Sequence, residues 1–213
     1  AAIKLAYFNN SIKNYITRYY DPSPGLWGLM RFSNTDSYTT RGLELQTHYD
    51  AGRVFADLSS TYYLKTETCD AAFAATLRAT SNPYRKTADT PDCTPGSFMG
   101  SYTNTQNPPR YTVNLVLGAK AFEQRLVSGI RMIYNSGPMY VLDQPWQVGA
   151  TTPQQHYLST RVYDYFADLQ VTDALKVSFN VYNFTDQYYL DPMSQSMMPA
   201  PGRTSSLAAT LVF

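Results

Sequence analysis

The end of the chain restricts the possible folds more than any other part. Leu175, Val177, Phe179 and Val181 alternate with Lys176, Ser178, Asn180 and Tyr182. After a Pro/Met-rich connection, Leu207, Ala209, Leu211 and Phe213 alternate with Ala208, Thr210 and Val212. Alternation with a period of two puts one side-chain set on each face of a strand. One face is apolar without a break up to the final aromatic, where a soluble domain normally frays into polar residues. This is the pattern of a pair of transmembrane β-strands. No run of about 18 apolar residues occurs, which excludes a membrane-spanning helix.

Six earlier segments repeat the pattern. Ile3 to Ile16 begins with Ile3, Leu5 and Tyr7 outward and loses phase near Asn9 and Asn10. Leu43 to Tyr49, Val54 to Leu64, Tyr111 to Ala119, Arg125 to Tyr134 and Arg161 to Val171 follow, so that eight strands are expected. The connections alternate strictly between two lengths. Asp50-Ala51-Gly52, the stretch around Ala121 to Glu123, and Thr172-Asp173-Ala174 are tight hairpin turns. Thr17 to Asp36, Thr66 to Pro109, Asn135 to His156 and Phe184 to Gly202 are expected as long loops. Short turns on one side and long loops on the other are typical of outer-membrane barrels, and long loops are uncommon unless functional.

The opposite face carries Glu44, Gln46, His48, Asp57, Asn114, Arg131, Asp164, Asp168, Lys176 and Asn180. Alternation alone does not say which face is wet, and a soluble sandwich would show the same period. The loop asymmetry and the terminal Phe213 favour apolar-out and polar-in. Tyrosine, with 19 copies against 2 Trp, dominates the aromatics and suits sites that are apolar at one end and wet at the other. A formal net charge of +1 gives no reason to expect nucleic acid as a partner. The chain opens AAIKLAYFNN, already in a strand pattern and without a positively charged leader, so either a leader has been removed in maturation or, as favoured, this is a portion of a longer protein.

Asn183, Phe184, Asp186 and Tyr189, then Pro201-Gly202-Arg203, then a last strand ending at Phe213, resemble the C-terminus of TonB-dependent outer-membrane receptors. TTRGLELQTHYDAGRVFADLSSTYY resembles the family's Gly-(Val/Leu)-Glu strand, tight turn and following strand, and Asn107-Pro108-Pro109-Arg110 opens the next. These anchors run in order from Thr39 to Phe213. Tyr189-Leu190-Asp191-Pro192 and Pro199-Ala200-Pro201-Gly202-Arg203 look most like haem and hemophore receptors. The resemblance implies an all-β transmembrane antiparallel barrel in the bacterial outer membrane, with these eight strands the last of about twenty-two. Residues 1–213 would be the C-terminal part of one β-barrel domain, with the plug domain, the earlier strands and the segment that engages the TonB complex all lying before Ala1.

The candidate site residues lie mostly in the long loops. His156, beside Tyr157, could ligate haem iron; the competing reading is an ordinary polar loop residue. His48 sits near a tight turn and reads as structural. Haem receptors of the family resembled use a histidine in an earlier loop, which this chain lacks. Cys69 and Cys93, in the longest loop of a chain expected in an oxidising compartment, read as a disulfide rather than a metal pair. Tyr19, Tyr20, Leu26, Trp27, Leu29 and Met30 form an apolar loop cluster suited to a ligand or partner, or else to packing on neighbouring loops. Met193, Met197 and Met198 offer soft, adaptable contacts with the same two readings. No metal-ligand spacing and no nucleophile-base set occurs, and an enzyme is not expected.

The resulting expectation is a TonB-energised receptor for haem, with or without a delivering hemophore, embedded in outer-membrane lipid. This portion alone is expected to bind no cofactor. The alternatives are a siderophore receptor of the same family and a self-contained eight-stranded barrel serving as adhesin or anchor.

Overall fold

The computed structural model describes residues 1–20, 30–79, 90–96, 108–140, 158–191 and 198–212, the side chains of residues 18–20 and 30 excepted. Its elements are β1 (Ala2–Tyr20), β2 (Met30–Asp50), β3 (Val54–Cys69), α1 (Ala71–Ala79), β4 (Cys93–Pro95), β5 (Tyr111–Ala121), β6 (Leu126–Asn135), β7 (Thr160–Gln170), β8 (Leu175–Tyr182) and β9 (Thr204–Leu211). Eight strands make one antiparallel meander in the order β1-β2-β3-β5-β6-β7-β8-β9, and the short β4 pairs with β3. No described helix is long and apolar enough to cross a membrane. The 10 and 11 residues of β5, β6 and β7 match the 9–11 that a tilted strand needs to span a bilayer.

Register joins the alternations of separate strands into two continuous faces. Tyr49, Ala56, Leu117, Ile130, Tyr165 and Val181 are successive cross-strand partners on the outward face. His48, Asp57, Val116, Arg131 and Asp164 are partners on the inward face. Leu5 and Leu207 are 70% and 74% exposed. In water such a surface would aggregate; in a bilayer the lipid tails solvate it. On the inward face polar groups meet one another instead. Asp57 Oδ1 lies 2.5 Å from His48 Nδ1, and Lys176 Nζ lies 3.1 Å from Asp168 Oδ2.

The tyrosines mark one edge of the apolar band. Tyr62, Tyr111 and Tyr134 stack in a row across β3, β5 and β6, with ring centroids 6.4 and 5.5 Å apart. The Arg161 guanidinium lies over the Tyr134 ring, 5.7 Å from its centroid. Aromatic rings with a polar tip form such a girdle at membrane interfaces. At the opposite edge Asp50 closes the β2–β3 turn, accepting from Lys120 Nζ at 2.6 Å and from the Gly52 amide at 2.7 Å. The lysine first, then the amide, holds the Asp50 carboxyl below its usual range. A depressed carboxylate stabilises the fold above its unfolded value, and that contribution is lost as pH falls through the depressed one.

Behind the apolar face the wall thins at two facing glycines. A Cβ on Gly118 would meet the Phe55 ring at 2.2 Å, and one on Gly129 would meet the Leu117 carbonyl oxygen at 2.3 Å and the Phe166 ring at 2.8 Å. Two aromatic rings therefore cover bare backbone on the inward side, where any larger residue would push them away.

Three expectations need correction. Thr17 to Asp36 is not all loop, because β1 continues to Tyr20 and β2 starts at Met30. Tyr19, Tyr20 and Met30 are thus strand residues, Tyr20 opposite Met30. Beyond the membrane both faces are wet, so the apolar alternation ends while the hydrogen-bond ladder goes on. The ladder is also unbroken at Asn9 and Asn10, which pair with Arg41 and Thr40; the local departure is Asn14, at φ 54°. Finally, Thr66 to Pro109 contains the end of β3, α1 and β4.

Replacing Leu207 by Arg should cost about 2–4 kcal/mol if the site lies near the bilayer midplane, and less near the interface. Urea unfolding in lipid vesicles measures this, with Thr210→Arg on the inward face as the milder comparison.

Candidate binding face at the loop end of the sheet

The loop end is organised around a shift of register. Between Arg41 and Gly42 the β2–β3 pairing slips by one residue, leaving Leu64 as the extra residue of β3. A one-residue slip moves every later side chain to the other face. Thr66 and Thr68 consequently pair with Thr40 and Tyr38 on the inward side. Both are almost fully buried, at 1% and 0% exposure. Thr68 Oγ1 donates to the Gly96 carbonyl at 2.8 Å, and the Gly96 amide donates to the Thr66 carbonyl at 3.0 Å. Thr66 Oγ1 lies 3.9 Å from Met139 Sδ.

Cys69 and Cys93 are register partners on β3 and β4 and are bonded to each other. In the chain-entropy model, closing a loop of this size constrains the unfolded chain by about 3 kcal/mol. Directly after Cys69, Asp70 caps α1 by accepting from the Phe73 amide at 2.9 Å, and Asp36 of β2 accepts from the Ala71 amide at 2.9 Å. Two carboxylates therefore sit at the positive end of the helix dipole. Arg78, in the last turn, donates to the Thr90 carbonyl at 2.6 Å and to Asp92 Oδ1 at 2.9 Å. With Ala74 and Leu77 buried, the described residues of this connection form a small folded cap held on β2 and β3.

A second clasp closes the base of the last loop. Asn183, buried and at φ 49°, donates through Nδ2 to the Gln187 carbonyl at 2.9 Å and the Pro201 carbonyl at 3.3 Å. Its Oδ1 accepts from the Gln187 amide at 2.9 Å, and its own amide donates to Asp164 Oδ1 at 2.9 Å. Asp186 Oδ1 accepts from the Arg203 amide at 2.8 Å. Asn183, Asp186 and Pro201-Gly202-Arg203 thus form one hydrogen-bonded joint rather than a ligand pocket. Tyr189 lies at this joint, and burial, then the carboxylates of Asp191 and Asp164, push its hydroxyl above its ordinary value.

The single residues proposed for ligand contact are placed unevenly. His156, Trp27, Met193 and Met197, with Leu26, Leu29 and Phe213, lie outside the described residues. Met198 is exposed, and its carbonyl accepts from the Asp191 amide at 3.2 Å, where Leu190 and Pro199 pair across the loop base. His48 is on the inward face at the short-turn end, against Asp57. Sequence reasoning missed α1, although Asp70 followed by AAFAATLRA is a capped, alanine-rich helix signal.

A meander with an apolar outer face, a polar inner face and loops folded at one end defines a wall of an outer-membrane β-barrel. The family model described as TonB dependent receptor-like, beta-barrel matches residues 1–184, and the chain belongs to that family of outer-membrane transport receptors. It is 32% identical to a hemophilin receptor of Acinetobacter baumannii over 100% of this chain and 20% of the relative. Among solved structures it is similar to the copper transporter OprC (TM-score 0.66, 14% identity, 99% of this chain and 29% of that one). A mutant of the ferric enterobactin receptor of Pseudomonas aeruginosa gives 0.61, with 17% identity and coverage of 99% and 29%. A double mutant of the Serratia marcescens hemophore receptor HasR, in complex with its hemophore HasA and haem, gives 0.59, with 22% identity and coverage of 99% and 28%. The chain spans about a fifth of the curated relative's length.

Two outcomes test this face. Unreduced protein should resist thiol labelling at Cys69 and Cys93, and label at both after reduction. Asn183→Ala should leave three backbone groups without their partner, weaken the last-loop base by about 1–3 kcal/mol, and speed proteolysis between Phe184 and Gly202.

Proposed function

We propose that this chain forms the C-terminal wall of a TonB-dependent receptor that imports haem, presented at the loop face by a carrier protein. The observation that carries this reading is the 32% identity to a hemophilin receptor over the whole chain, loop segments included. The solved neighbours bind copper, ferric enterobactin or haem by their own descriptions, and at 14–22% identity they speak for the fold alone. Among the described residues β1 and β9 are not paired with each other, so the sheet is open. An open edge is not viable in a bilayer, because its amide and carbonyl groups have no water to bond. Further strands of the same receptor, about twenty-two in all, would close it, and residues 1–213 would then be the C-terminal part of one barrel domain. This reasoning weighs against a self-contained eight-stranded barrel.

In this reading the haem carrier contacts the outer ends of β1 and β2 with the connection between them, and the β8–β9 connection, through Tyr19, Tyr20, Trp27, Met30, Met193, Met197 and Met198. The TonB complex engages a region outside this chain. In this reading haem is held by parts of the receptor outside this chain, and His156 contributes at most one axial ligand. Cells that depend on the full-length receptor should grow on a haem protein as iron source, and Trp27→Ala with Met198→Ala should slow that growth several-fold while the barrel still folds. Growth on ferric siderophore in place of haem protein would replace this reading with the siderophore one.

A further inference from the structure

The outward face carries a feature that transport does not require. Ala119, Ser128 and Ala167 are cross-strand partners on β5, β6 and β7, a row of small side chains on the apolar face. Leu117 and Ile130 stand in the next row, and behind the depression lie the bare backbones of Gly118 and Gly129. The result is a groove of about 820 Å³, within the range of about 300–1,000 Å³ usual for ligand sites. The Ser128 and Tyr165 hydroxyls in its floor are spent on each other at 2.9 Å, and the Ser128 hydroxyl donates to the Phe166 carbonyl at 3.0 Å. Leu115, Leu117, Ile130 and Met132 make the lining mostly apolar, which suits an apolar chain.

The upper end of the groove changes character. Tyr163 and Phe184 close it, their ring centroids 5.9 Å apart. Two residues above Tyr163 on the same strand face is Arg161, set over Tyr134 at the aromatic girdle. On the other side of Phe184, Arg203 reaches the Phe184 carbonyl at 3.5 Å through Nη1. Both arginines are exposed, and no ion pair among the described residues involves either guanidinium. The carboxylate beside them, Asp186, accepts from the Arg203 backbone amide. Two cations thus stand where an apolar groove meets the loop side of the membrane. Arginine binds phosphate oxygens in pairs through its planar fork.

We propose that this groove holds an acyl chain of a phosphorylated lipid of the external leaflet, with its phosphate between Arg161 and Arg203. The full-length receptor, purified in detergent, is titrated by native mass spectrometry with a bisphosphorylated hexa-acyl disaccharide lipid and with its dephosphorylated form. The phosphorylated form should bind at least tenfold more tightly. In R161A/R203A this preference should fall to about twofold or less, and R161K/R203K should retain part of it. Ala119→Phe, which fills the groove, should weaken both lipids together. Heat-modifiable migration on gels checks that each variant is folded. Equal binding of the two lipids by the unmodified receptor overturns the proposal, as does a folded R161A/R203A that keeps the full preference. The first comparison needs no variant, so it decides even where one fails to fold.

Discussion

Every backbone amide and carbonyl inside a bilayer must find its partner in protein, and the rest of this structure follows from that requirement. It explains why a chain without a spanning helix crosses by strands, and why each strand pairs with its sequence neighbour through a tight turn on one side. It also explains why the side chains can be so unlike those of a soluble sheet. With the ladder satisfying the polar backbone, the outward residues need only match lipid. The described residues contain few buried apolar side chains, Ala74, Leu77, Met139 and Val162, because the face that a soluble protein would bury against itself is solvated by the membrane.

At the loop end water returns, and stability comes from other sources. A covalent bond, a capped helix and a group of threonines replace lipid contact around β3 and β4. At the last loop a single asparagine serves three backbone groups of the returning chain. Both arrangements fix the bases of long connections and leave their tips to vary. A receptor that must recognise a large partner benefits from this division, since rigid bases set where a tip is presented while its composition sets what it meets.

The membrane-embedded part was legible because lipid enforces a period of two. The membrane strands from Leu43 onward, and the faces of their residues within the segments that alternate, could be read from period, whereas β4 and the end of β3 beyond Leu64 could not. Asn183, Asp186 and Arg203 were legible as a motif, but their role was not, since nothing in their spacing shows that Asp164, on another strand, accepts from the Asn183 amide. The extended arms of β1 and β2 were hidden because a strand wet on both faces has no hydrophobic period to display. The helix after Cys69 was hidden by its surroundings. A short alanine-rich stretch inside a long Thr/Pro/Asp-rich connection competes with loop signals, and its support comes from Asp36, distant in sequence. The loop tips follow no period at all, so alternation gives no reading of them.

Leu64 gives β3 something like a shift of reading frame. Below it, even-numbered residues of β3 look to lipid; above it, the odd-numbered ones take that side, and Thr66 and Thr68 turn inward beneath Met139. The two regions of one strand are therefore written in different frames. A substitution pattern acceptable to the bilayer places no demand on the cap, and the cap can be rewritten without disturbing the wall. Deleting the single extra residue would merge the frames, turning the two threonines outward and carrying Cys69 away from the side on which Cys93 waits.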